Sequence, residues 1–129
     1  MKIDHLAIWV DDLEVMRTFY LKYFGLTCGE KYTNEKNEYT SYFLSFGKGE
    51  IRLELMQKPG ITPVSGQRGN AKGIAHFAIS AGGKEKVNEL TELLRSENYI
   101  IFSEPRTTGD GYYESVVLDP EGNYLEITT

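Results

Sequence analysis

The chain has 129 residues, 40% hydrophobic and 26% charged, a composition that fits a folded globule and excludes a disordered segment. Its formal net charge is -5, from 14 Lys and Arg against 19 Asp and Glu, and there is no basic run, so binding of nucleic acid through bulk charge is excluded. The lone Cys28 forms no intramolecular disulfide, and the opening residues hold no apolar stretch for a signal peptide or membrane span, so the expected setting is soluble and cytoplasmic.

From the amino terminus, Ile3 to Val10 alternates as a strand, with Leu6, Ile8 and Val10 on one face and Ile3, His5, Ala7 and Trp9 on the other. A helix follows, capped by Asp11 or Asp12, buried through Leu13, Met16, Tyr20 and Phe24, and stopped by Gly25. Strands are expected at 27–33, 39–46 and 50–56, the last two joined by Gly47-Lys48-Gly49. Residues 58–73 contain several Gly and Pro and no apolar period, and read as a linker. A second series then opens at Ile74 to Ile79. Its helix runs from about Lys84 to Ser96 with Val87, Leu90, Leu93 and Leu94 as the buried stripe. Strands at 100–103, 112–118 and 123–128 complete it, the last two joined by the turn Asp119-Pro120-Glu121-Gly122.

The two series repeat one another. Ile3-Asp4-His5-Leu6-Ala7-Ile8 recurs as Ile74-Ala75-His76-Phe77-Ala78-Ile79, an offset of 71. Ile51-Arg52-Leu53-Glu54-Leu55 recurs as Asn123-Tyr124-Leu125-Glu126-Ile127, an offset of 72. Such a match points to duplication of one strand–helix–three-strand unit. The expected class is therefore α+β, with a first βαβββ module at 1–57, the linker at 58–73 and a second module at 74–129. Neither half would bury much alone, so the two are expected to form one core.

The residues that break the apolar alternation carry the chemistry. Glu54 lies opposite Leu53 and Leu55, and Glu126 opposite Leu125 and Ile127; His5 and His76 lie opposite Leu6/Ile8 and Phe77/Ile79. These are the only two histidines. If each helix covers the more apolar strand face, all four side chains point to the other face. Imidazole nitrogen and carboxylate oxygen are the usual ligands of first-row divalent metals. Singly, each residue reads more simply as an ordinary strand residue; matched in both repeats, the set points to a metal. Trp9, Met56, Phe43 and Tyr124 fall on the same side as pocket walls or plain core, and Arg52 is a candidate for binding an anionic substrate.

Paired modules with a His on each first strand and a Glu on each last strand resemble the vicinal oxygen chelate superfamily. That superfamily includes glyoxalase I, methylmalonyl-CoA epimerase, extradiol dioxygenases and bleomycin-resistance proteins. The most specific stretches are Asp4-His5-Leu6-Ala7-Ile8, Phe19-Tyr20 through Phe24-Gly25-Leu26, Gly73-Ile74-Ala75-His76 and Asp119 through Glu126. The resemblance implies a cup-shaped, eight-stranded mixed sheet with helices outside and one divalent metal at its base (Ni, Zn, Co, Mn or Fe). The four ligand positions of bacterial glyoxalase I fall on His5, Glu54, His76 and Glu126. A glyoxalase-type lyase or isomerase is then expected, taking a proton from carbon beside a metal-held oxygen to give an enediolate. Glu126 is the base by family analogy and Glu54 its partner. A small-molecule-binding protein of the same fold and an Fe(II) ring-cleaving oxygenase are the alternatives. The expected partners are a small-molecule substrate and a second copy in a homodimer, with segments swapped or not. Where glutathione-using bacterial enzymes have Arg four residues after the first ligand, this chain has Trp9; where they have Asn four after the second, it has Lys58. Those departures imply another thiol, or another reaction on the same metal chemistry.

Overall fold

Alternation of apolar and polar residues becomes a strand over His5–Trp9 (β1), followed by a helix over Leu13–Phe24 (α1). In the computed structural model, which describes residues 1–129, the chain divides into two units, 1–63 and 64–129. The first continues with β2 (Thr27–Cys28), β3 (Tyr32–Asn34), β4 (Tyr39–Ser45) and β5 (Arg52–Gln57). Its sheet runs β1-β5-β4-β2, with β3 also on β4; β1 is parallel to β5 and the remaining pairs are antiparallel.

The second unit has β6 (Phe77–Ser80), α2 (Lys84–Ser96), β7 (Ile101–Thr107), β8 (Tyr113–Leu118) and β9 (Tyr124–Thr128). Its sheet runs β6-β9-β8-β7, again with the first strand parallel to the last and the others antiparallel. Each unit is thus one mixed α+β module of the βαβββ kind. In both, the strand next to the histidine lies at a sheet edge beside the strand that carries the glutamate. No helix is long and apolar enough to cross a membrane.

Register fixes which residues share a face, because side chains alternate along a strand and paired residues point the same way. In the first unit Leu6, Ile8, Leu53, Leu55, Leu44 and Tyr42 share a face, and α1 packs there through buried Leu13, Met16, Phe19 and Tyr20. Each such side chain contributes about 1.5–3 kcal/mol of burial. Asp12, rather than Asp11, caps the helix, its Oδ1 accepting from the Glu14 and Val15 amides at 3.0 Å. Gly25 ends it at φ 65, the left-handed region where a side chain would be strained. Across the sheet, the opposite face holds Ala7 and Trp9, then Arg52, Glu54 and Met56, then Ser41, Phe43 and Ser45.

In the second unit α2 covers the face of Ile79, Leu125, Ile127, Ser115 and Val117. Its stripe differs from expectation at two places. Leu93 is 45% exposed, whereas Thr91 is fully buried. Thr91 Oγ1 donates to the Val87 carbonyl at 2.7 Å and meets Ser115 Oγ at 2.7 Å, so its polar atom is satisfied inside the core.

Several strand limits also shift. The opening strands are shorter than the alternation suggests: Ile3 is 71% exposed and Ile74 65% exposed, both ahead of the ladders. The expected strand at 27–33 is two short ones, broken between Cys28 and Tyr32. β7 instead runs on through Pro105 to Thr107. It is an edge strand with register shifts, where a missing N–H need leave no partner unpaired. Cys28 is half-buried on the α1 face, beside Arg17.

Candidate metal-binding and catalytic residues

In the β1–β5 ladder Glu54 pairs laterally with Ala7, and His5 stands two residues before that alanine. The small methyl leaves room for a diagonal contact, and His5 Nε2 comes to 3.7 Å from Glu54 Oε2. The second unit builds the same figure. Ala78 pairs laterally with Glu126, and His76, one residue ahead of β6, places Nε2 at 3.4 Å from Glu126 Oε2. Both glutamates lie on the sheet face away from the helix of their own unit. The parity read from the sequence therefore holds in each unit separately.

Donor atoms sharing one first-row cation at about 2.1 Å lie roughly 3.0–3.5 Å apart; the His76–Glu126 pair at 3.4 Å falls within that spacing, and the His5–Glu54 pair at 3.7 Å lies just outside it. Neither unit by itself gathers three or more His, Cys, Asp or Glu side chains to hold a metal ion. Each supplies one imidazole and one carboxylate.

The surroundings of the two pairs differ. In the first unit the Asp4 carboxylate contacts His5 Nδ1 at 3.0 Å and also takes a hydrogen bond from Arg52. Those partners, His5 first, hold the Asp4 carboxyl below its ordinary value. A carboxylate on Nδ1 fixes ring orientation and leaves Nε2 to face Glu54. Tyr39 Oη donates to Glu54 Oε1 at 2.5 Å. Burial, and then that bond, push the Tyr39 phenol above its ordinary value. In the second unit Glu114 is the neighbour of Glu126, with Arg106 Nη2 at 3.8 Å from Glu114 Oε1. Burial first, and the Glu114 carboxylate second, push the Glu126 carboxyl above its ordinary value.

The remaining sequence candidates fall on the expected faces. Phe43 lies directly across from Glu54, its ring edge-on to His5 at 5.4 Å. Arg52 is engaged by Asp4, and its guanidinium lies 4.4 Å from the Phe43 ring centre. Trp9 and Met56 pair laterally; Trp9 meets Tyr39 edge-on at 6.3 Å, and Lys58 Nζ sits 5.2 Å over its ring. Lys58 also lines a cleft of about 470 Å³ with Asp11, Glu38, Thr40, Gln57 and Ile61. Tyr124 shares the Glu126 face but is 9% exposed, packed by Phe102 at 4.5 Å and donating to Gln67 Oε1 at 3.2 Å. A Cβ on Gly69 would lie 2.5 Å from its ring, so residues 67–70 cover it closely.

Asp4, Tyr39 and Glu114 were not singled out from the sequence. Glu114 carried a readable signal, since it shares parity with Val116 and Leu118 and is a misfit of the same kind as Glu126. Tyr39 shares parity with Phe43 in β4.

A family model described as the Glyoxalase/Bleomycin resistance protein/Dioxygenase superfamily matches residues 2–127. A Vibrio cholerae protein named "Probable lactoylglutathione lyase" is 28% identical, over 98% of this chain and 88% of its own length. The lactoylglutathione lyase of Schizosaccharomyces pombe is 23% identical, and the chain spans 47% of that protein. Among solved structures, the trypanothione-dependent glyoxalase I of Leishmania major superposes with TM-score 0.79 at 27% identity, over 98% of this chain and 85% of that one. Glyoxalase I of Zea mays gives TM-score 0.78 at 26% identity, with 98% of this chain covering 44% of that one.

Proposed function

Because the chain belongs to the Glyoxalase/Bleomycin resistance protein/Dioxygenase superfamily, we propose that it is a divalent-metal-dependent lyase or isomerase of glyoxalase I type. The observation that carries this reading is the repeated imidazole–carboxylate pair, His5 with Glu54 at 3.7 Å and His76 with Glu126 at 3.4 Å. Two such pairs make a two-His, two-Glu ligand set for Ni, Zn, Co, Mn or Fe. Each unit also leaves one side of β1 or β6 unpaired in its sheet, and an open edge favours coverage by another unit or another copy. A homodimer is part of the proposal.

When bound, the cation supplies a Lewis acid beside the oxygens of the substrate. The protein groups do the rest. Glu126 takes the proton from the substrate carbon. Asp4 orients His5. The Trp9, Phe43 and Met56 side chains wall the first unit's glutamate face, and Lys58 offers a cation at its rim. Trp9 and Lys58, stacked on one another, stand where glutathione-using bacterial enzymes have Arg and Asn, which favours another thiol or another reaction on the same metal chemistry.

The test is metal content of purified wild type beside His76→Ala, followed by methylglyoxal consumption with a panel of low-molecular-weight thiols that includes glutathione. Metal retained by wild type and lost from the variant, with thiol-dependent turnover, supports the reading. Equal metal in both, or no turnover with any thiol, overturns it.

A further inference from the structure

The two units are copies, yet their glutamates are held differently, and a tyrosine accounts for the difference. Phe43 pairs with Glu54 and Val116 with Glu126, so Tyr39 and Tyr112 occupy equivalent positions four residues before those partners. Only one of them reaches its carboxylate. Tyr39 Oη donates to Glu54 Oε1 at 2.5 Å, whereas Tyr112 is 56% exposed and Glu126 is flanked by His76 and Glu114. Ser41, the first-unit counterpart of Glu114, places no carboxylate beside Glu54.

We infer that Tyr39 is a positioning residue that anchors the Glu54 carboxylate, holding it in place for the proposed ligand set. The inference rests on the metal-dependent reading above and adds a residue that orients one of its carboxylates. Glu54 is engaged at both oxygens, Oε1 by Tyr39 and Oε2 by His5. A carboxylate held at one oxygen by a short O–H···O contact loses rotational freedom, and such a contact to an ionised acceptor is among the stronger hydrogen bonds; His5 at 3.7 Å adds only a longer attraction at the other oxygen. The anchor is itself fixed. The Tyr39 ring is edge-on to Trp9 at 6.3 Å and meets Tyr32 at 6.0 Å, so the hydroxyl is aimed by packing on two sides. Glu126 is met by no tyrosine; its neighbours are the Glu114 carboxyl, which hydrogen-bonds it, the His76 imidazole and the Arg106 charge.

Tyr39→Phe tests this, because it keeps both ring contacts and removes only the hydroxyl. The probe is Co²⁺, with affinity measured by chelator competition and ligand geometry by the visible absorption of the bound ion. The expected result is Co²⁺ binding weakened by about 10- to 100-fold, the range for loss of a residue that orients a ligand, with an altered spectrum and a near-unchanged melting temperature. Tyr112→Phe is expected to leave affinity and spectrum as in wild type. A Tyr39→Phe protein that matches wild type in both, or a Tyr112→Phe protein that shows the same loss, overturns the inference. If wild type takes up no Co²⁺, the metal reading fails on its own. The anchor is then judged in the metal-free protein by proton NMR, as a protected phenolic hydroxyl resonance in wild type that Tyr39→Phe abolishes. Absence of that resonance from wild type overturns it.

Discussion

Ala7 stands beside Glu54 in the parallel β1–β5 ladder, two residues after His5, whose Nε2 lies 3.7 Å from Glu54 Oε2. A larger side chain at 7 would fill the space between them. Ala7→Leu is expected to cost about 1–3 kcal/mol through overpacking and to separate the imidazole from Glu54. The check is metal content beside a urea melt: divalent metal is expected to drop well below wild type while a cooperative transition persists. Wild-type metal content in the folded variant would count against this role for the methyl.

The buried Thr91–Ser115 pair gives a stability test independent of function. Thr91→Val removes the partner of Ser115 Oγ inside the α2–β8 contact and leaves a buried hydroxyl without it. The expected loss is about 1–3 kcal/mol. The double variant Thr91→Val with Ser115→Ala removes both polar atoms and is expected to recover much of that loss. Urea denaturation of the four proteins in the cycle measures the coupling directly.

Glu14 ties α1 to the strands and sets an acid limit. Its Oε1 accepts from Lys31 Nζ at 3.0 Å and from Tyr42 Oη at 2.9 Å, and these, Lys31 first, hold its carboxyl below the ordinary value of 4.5. The folded chain therefore binds this proton less readily than the unfolded chain. The stabilisation is complete above the unfolded value and disappears as the pH falls through the lower folded-state value. Wild type is expected to exceed Glu14→Gln in stability at neutral pH, with the gap closing in strong acid and narrowing in high salt because Glu14 and Lys31 are exposed. A gap independent of pH would refute the assignment.

The faces on which the candidate residues lie were legible because a strand shows its face through alternation alone. Glu54 between Leu53 and Leu55, and Glu126 between Leu125 and Ile127, had no other face to occupy. α2 was read correctly in extent, but its stripe was misjudged at Thr91, because hydropathy does not reveal that a hydroxyl will satisfy itself on the carbonyl one turn back. The strand expected at 100–103 runs on through Pro105 to Thr107, because the sequence does not say that β7 would lie at an edge. Tyr39 went unnoticed for a different reason. Its partner is 15 residues away on the neighbouring strand, and only the antiparallel register of β4 on β5 brings the two together.

The covering of Tyr124 bears on how the duplicated halves can be separated. Arg68 Nη1 donates to Asn123 Oδ1 at 3.0 Å, Gln67 accepts from Tyr124, and Gly69 presses on the ring without a side chain. The stretch before the second histidine is thus a built-in plug for its own module, not spare tether. Cutting the polypeptide just ahead of His76 would strip an aromatic bare, so an excised second half must begin at Val64 to keep the surface it has in the intact protein.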